Sequence, residues 1–183
     1  MTALQPPQPG SMRGRVCLLG PACIGKTTAL RSLCGGDSHG AADAGMSTCP
    51  DGGAGAQLCE IDLGQGQWLQ LIGCPCHEGF GSVRQWALST SVGVLLMVDI
   101  LQVSAQEHAL RCLDEIAALD AEPVVIVLSC RPASGAQQQA FGAALLAAGY
   151  GVVPVIQADP RDRAQLLDAL GVLVALLSLQ SPA

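Results

Sequence analysis

The sequence predicts an α/β fold, a mostly parallel sheet of about six strands with one antiparallel strand and helices on both faces. Three observations predict it. Near the amino end a buried-strand pattern runs into a glycine-rich turn and out into a helix. Two strand patterns then follow, joined only by Gly64-Gln65-Gly66, and strand and helix patterns alternate from there onward. At 183 residues the chain has the length of one ordinary domain, expected over residues 13–180, with room for a substantial core.

Residues 1–12, with Pro6, Pro7 and Pro9, read as a disordered lead-in. Residues 15–19 read as a buried strand and 28–33 as the helix that leaves the turn. Residues 35–56 hold seven glycines among small polar side chains and show no periodicity, the pattern of a long functional loop. Strands over 57–63 and 67–72 have so short a connection that they form an antiparallel hairpin. Gly73-Cys74-Pro75-Cys76-His77-Glu78-Gly79-Phe80 is a second loop, leading to a short helix around 83–88.

From Val92 to Val98 the run is unbroken and apolar, as a strand covered on both faces requires, and it ends at Asp99. Ser104-Ala105-Gln106-Glu107 has the capping-box pattern, ahead of Leu110, Leu113 and Ala117 at helical spacing. Residues 124–128 form another buried strand, and Ser134-Gly135-Ala136-Gln137 opens a helix that closes at Gly149. Residues 152–156 make the last strand. Asp159 then reads as the N-cap of a final helix, with Pro160 at its first position. That helix is apolar nearly all round from Gly171 to Leu179, which admits two readings. Either self-association or a partner covers its second face, or its exterior is simply greasy.

Hydrophobic residues make up 50% of the chain and charged ones 13%, with mean hydropathy +0.41. This points to a deeply buried sheet or a sticky surface. A net charge of −6 and a pI near 4.8 leave no basic stripe to neutralise a phosphate backbone, so nucleic acid is excluded as a partner. The nine cysteines are scattered and odd in number, and read as reduced thiols acting as small apolar side chains. With no secretion signal, no prenylation box and no apolar run long enough to span a bilayer, the expected location is cytoplasmic, with no transmembrane segment.

The chemistry concentrates in Gly20-Pro21-Ala22-Cys23-Ile24-Gly25-Lys26-Thr27, which fits G-x-x-x-x-G-K-[ST] at every fixed position. Glycines let such a loop curl so that backbone N–H groups face phosphate oxygens, and the following helix, from Thr28, adds its positive end. Lys26, the chain's only lysine, would reach the β- and γ-phosphates, and the Thr27 hydroxyl would hold Mg²⁺. Because the overall charge is acidic, the polyanion must be held by these local groups.

A phosphate loop after the first strand, a long loop before a hairpin and a Gly-x-Pro segment after the third strand together resemble the Ras-like small GTPases. The resemblance is nearest to their bacterial branch, in which the third strand ends in a Gly-Thr-Pro-Gly-Gln-type segment. It implies a three-layer P-loop NTPase fold, GTP/GDP and Mg²⁺ as ligands, and two loops that sense the γ-phosphate. These would be residues 35–56 (switch I) and 73–88 (switch II). It also implies a protein partner whose surface those loops change, while the apolar last helix offers a second place for a protein partner or for homo-oligomerisation.

The chain departs from that pattern at several places. Cys76 and His77 stand where a Gly-Gln pair meets the γ-phosphate and orients water. His77 is either a water-positioning base or a solvated loop side chain. The family's Asn-Lys-x-Asp, whose carboxylate reads guanine, is replaced by Ser129-Cys130-Arg131-Pro132. Arg131 is a candidate to stack on the base. Ala158 matches the small residue of the loop that helps bind the base, while Asp159 beside it is explained by capping. Thr48 is the threonine nearest to the place of a switch I metal ligand. Asp99 either holds a metal-bound water or makes local hydrogen bonds. Cys74-Pro75-Cys76-His77 lacks the second ligand pair a structural zinc site needs. Three functions follow in order: a GTP-binding switch with slow or impaired hydrolysis, a degenerate GTPase acting as a non-catalytic scaffold, and a P-loop small-molecule kinase.

Overall fold

The computed structural model describes residues 13–34, 47–48, 56–64, 67–75 and 78–180. Seven strands form one sheet: β1 (Arg13–Leu19), β2 (Ser47–Thr48), β3 (Gln57–Gly64), β4 (Gln67–Gly73), β5 (Gly93–Val98), β6 (Val124–Ser129) and β7 (Val155–Gln157). Their order is β2-β3-β4-β1-β5-β6-β7. Only β3 runs against the rest, paired antiparallel with β2 on one side and β4 on the other, while β4, β1, β5, β6 and β7 pair in parallel. The expected hairpin, single antiparallel strand and parallel body are thus present. The seventh strand is the two-residue β2.

Among the described residues, five helices cover the sheet: α1 (Lys26–Cys34), α2 (Gly81–Ser89, preceded by a 3-10 turn at Glu78–Phe80), α3 (Ala105–Ala117), α4 (Gly135–Ala147) and α5 (Arg163–Gln180). Alternate residues of each central strand serve opposite faces, as the pleat requires. Val16, Leu18, Leu95, Met97, Ile126 and Leu128 pack under α1 and α5. Cys17, Leu19, Val94, Leu96, Val98 and Val127 pack under α2, α3 and α4. This double covering is why β5 carries no polar residue and is buried throughout.

Several local expectations are corrected. Ser104 precedes α3 in a helical conformation (φ −83°, ψ −4°) and makes no side-chain cap bond, so the capping-box pattern there is not used. Ser134 does make the box: its Oγ accepts from the Gln137 N–H, and Gln137 Oε1 accepts from the Ser134 N–H. The last strand begins at Val155 and not at Val152. The last helix begins at Arg163, and its cap is Asp162, whose Oδ1 accepts from the N–H groups of Ala164 and Gln165. Asp159 instead closes a turn onto the Arg161 N–H.

Cys34 on α1 and Cys59 on β3 bring their side chains together, with Cα atoms 6.3 Å apart. Cys17, Cys23, Cys74, Cys112 and Cys130 are free. By length and composition alone α5 is long and apolar enough to cross a membrane. Within this fold Leu166, Ala169, Leu170 and Leu173 of α5 are buried in the core against the sheet.

Candidate functional site

The loop from Gly20 to Gly25 leaves the carboxyl end of β1 at the centre of the sheet, where open α/β sheets bind ligands. Its curl is dictated by close packing. Gly20 has φ +149°, and a Cβ there would lie 2.3 Å from the Met97 carbonyl oxygen of neighbouring β5. Gly25 has φ +112°, and a Cβ there would lie 2.9 Å from the Pro160 ring. Between them Cys23 adopts φ +60°, the one positive φ among described residues other than glycine, while its side chain stays exposed. Ile24 is buried and anchors the loop in the core beneath α1 and α5. Pro21 is half-buried and Ala22 exposed.

α1 then starts at Lys26, its first turn closed by the Ala29 N–H on the Gly25 carbonyl. Lys26 Nζ folds back over the loop and donates to the carbonyls of Gly20 (2.7 Å) and Pro21 (2.8 Å). The ammonium and the amino end of a nine-residue helix therefore meet at one spot, and both favour an anion. Thr27 is half-buried and its Oγ1 donates to Gln57 Oε1 of β3 at 2.8 Å, leaving lone pairs for a hard cation. Thr28 follows, exposed. Neither the Gln57 contact nor the Pro160 contact was foreseeable, since each joins segments far apart in sequence.

Asp99 makes local hydrogen bonds at the end of β5: Oδ1 accepts from the Leu101 N–H and Oδ2 from the Gln102 amide. His77 and Cys76 lie outside the described residues, as do the side chain of Thr48 and most of 35–56. At the root of the second loop, the buried sulfurs of Cys74 and Cys17 lie 3.1 Å apart, and the Cys74 N–H donates to the Leu18 carbonyl. Mutual contact and burial push the Cys17 thiol well above its usual pKa. A cavity of about 230 Å³ opens beside Gly20 and Cys74, walled by His108, Arg111 and Cys112 of α3 and by the Arg84–Glu115 ion pair. Burial lowers the His108 pKa and raises that of Cys112 to about 11, so both are neutral near pH 7.

On the far side of the phosphate loop, the loops after β6 and β7 are stitched together. The Ala158 N–H donates to the Ser129 carbonyl and the Ala133 N–H to Gln157 Oε1. Ala158 is fully buried. Cys130 is buried too, and burial pushes its thiol up to about 12. Arg131 and Arg161 are exposed, and the side chain of Asp159 is 38% exposed. Asp159 Oδ1 accepts from Arg161 N and Nε, and Oδ2 accepts from Nη2 at 3.0 Å. The Arg161 side chain holds the carboxyl below its ordinary pKa, its N–H adds to this, and Arg131 contributes a smaller share.

Sheet order, phosphate loop and helix placement define a P-loop, GTPase-like α/β fold. Among solved structures, the bacterial selenocysteine-specific elongation factor EF-Sec superimposes with a TM-score of 0.62 at 17% identity, over 91% of this chain and 29% of that one. The likeness is one of fold, and this chain spans less than a third of that protein's length. No family model matches the sequence. No curated protein matches it either.

Proposed function

We propose that this chain is a small GTPase-like switch of the Ras-like kind, acting in the cytoplasm. It binds a nucleoside triphosphate with Mg²⁺ through residues 20–28 and hydrolyses it slowly. The observation that carries this reading is the convergence, on one curled loop, of the Lys26 ammonium and the α1 amino end. Phosphate oxygens offer Lys26 stronger, charge-assisted bonds than the two carbonyls it now holds. Thr27 fits as a Mg²⁺ ligand because its hydroxyl hydrogen is already directed at Gln57, and phosphate and water oxygens supply the other positions. Slow turnover follows from Cys76-His77 in place of a Gly-Gln pair, which leaves one titratable imidazole to position water.

The test is binding of a fluorescent nucleotide to the full chain with and without Mg²⁺, beside Lys26→Ala. We expect the variant to lose at least about 100-fold in affinity, since it removes a charged bond to each of two phosphates. Unchanged binding sinks the proposal. A flat thermal shift for wild type with both GTP and ATP in Mg²⁺ is the outcome that the scaffold reading predicts instead.

A further inference from the structure

We infer that the groove at the amino ends of β6 and β7, on the side of the sheet away from the phosphate loop, docks a basic amphipathic helix of a protein partner. This goes beyond the nucleotide reading and does not depend on it. The groove has a volume of about 670 Å³ and lies between the last turns of α3 and α5 and the segments that lead into β6 and β7. Its floor is apolar and belongs to the core, with Leu113 of α3, Val124 of β6 and Val153 all buried. Apolar side chains also stand at its open edge, where Val152 is 86% and Leu179 82% exposed. An occupant that covers this edge removes apolar surface from water, which is the favourable step of docking.

Charge decides what the occupant is. Glu122 lines the groove and is exposed, and Asp120 is exposed between the lining residues Leu119 and Ala121. Asp114 is exposed on α3 and accepts from the hydroxyl of Tyr150 in the groove wall. Among the described residues that line the groove there is no lysine, arginine or histidine. The last turns of α3 and α5 hold no basic residue either, so the carboxyl ends of both helices add negative potential without a countercharge. Such a rim repels an anionic lipid surface and a nucleic acid. A second copy related by a two-fold axis sets the same acidic rim against itself. A helix with one apolar stripe flanked by lysine or arginine fills the floor and neutralises the rim.

The experiment titrates the full chain into a fluorescent synthetic amphipathic helix of about 18 residues, leucine on one face and lysine on the other, and reads anisotropy. A counterpart with glutamate in place of every lysine is measured beside it. Wild type should bind the lysine peptide about 10-fold or more tighter than the glutamate peptide, and Glu122→Lys and Val152→Asp should each weaken that binding about 10-fold. Both residues are exposed, so neither change disturbs the core. Glu107→Lys makes the same charge change at the opposite, exposed end of α3 and should bind as wild type does, as should Lys26→Ala. Equal affinity of wild type for the two peptides overturns the inference. So does equal weakening by Glu107→Lys and Glu122→Lys, which reports only the acidity of the whole chain, or unchanged binding by Val152→Asp, which leaves the groove unused. It also falls if Val152→Asp dissolves a wild-type dimer in sedimentation, or abolishes wild-type binding to phosphatidylcholine vesicles, because the occupant is then a second copy or a bilayer.

Discussion

The two halves of the candidate site are built on different principles. The phosphate loop is specified by backbone geometry: Gly20 and Gly25 sit where no side chain fits, and Ile24 and the start of α1 lock the curl from below. The loops after β6 and β7 are specified by side-chain bonds, from Gln157 to Ala133, from Ser134 and Gln137 to each other, and from Arg161 to Asp159. A site made of backbone tolerates almost no change at its glycines. One made of side chains depends on each of the bonds it makes, and these lie at an exposed edge, where Arg161 is 74% and Asp159 38% exposed.

The largest expected effect breaks the rigid half. Gly20→Ala puts a methyl group 2.3 Å from the Met97 carbonyl and 3.1 Å from Ile24 Cγ2, at a φ that L residues avoid. Neither neighbour can retreat, because Met97 is buried in β5 and Ile24 in the core. We expect a loss of about 3 kcal/mol, read as a fall of roughly 6–12 °C in melting temperature for a domain of this size, with nucleotide binding lost as well. A variant as stable as wild type would show that the loop is held by its side chains after all.

The same contrast explains what was legible in the sequence. The phosphate loop, the hairpin around Gly64 and the buried run of β5 were legible because each is a local pattern whose cause lies within a few residues. What escaped depends on long-range contacts. Cys34 on a helix meets Cys59 on a strand 25 residues away, Thr27 finds Gln57 of β3, and Pro160 finds Gly25. Two errors had local causes. Asp159-Pro160 and Asp162-Arg163-Ala164-Gln165 both carry a helix-start pattern, and the helix uses the second, where the Gln165 amide also reaches the Asp162 carboxylate. β2 has two residues, too few for any periodicity. Asp159, first read as a cap, closes a turn onto the Arg161 N–H instead.

A smaller effect sharpens the comparison on the flexible half. Ser104 and Ser134 carry the same capping pattern, yet only Ser134 makes the reciprocal bonds, 3.3 Å from the Gln137 N–H and 2.8 Å from its own N–H to Gln137. Ser134→Ala should therefore cost about 1 kcal/mol, and Ser104→Ala should stay within about 0.5 kcal/mol of wild type. Chemical denaturation of the two variants in parallel decides this. Equal losses would mean that both caps form in solution, so that sequence pattern and not the Ser129–Ser134 loop geometry governs the start of α4.

The smallest effect probes the rigid half at its one irregular residue. Cys23 is held at φ +60° although it bears a side chain, and that conformation costs an L residue about 1–2 kcal/mol. Glycine adopts it freely but brings about 0.5–1 kcal/mol of extra chain entropy to the unfolded state. Cys23→Gly should accordingly stabilise the protein by about 0.5 kcal/mol, whereas Cys23→Ala, which keeps the strain, should leave stability unchanged. Because the side chain is exposed, neither change opens a cavity, and the difference between the two isolates the backbone term. If alanine stabilises as much as glycine does, the curl is not imposed on residue 23, and the loop's geometry rests on Gly20 and Gly25 alone.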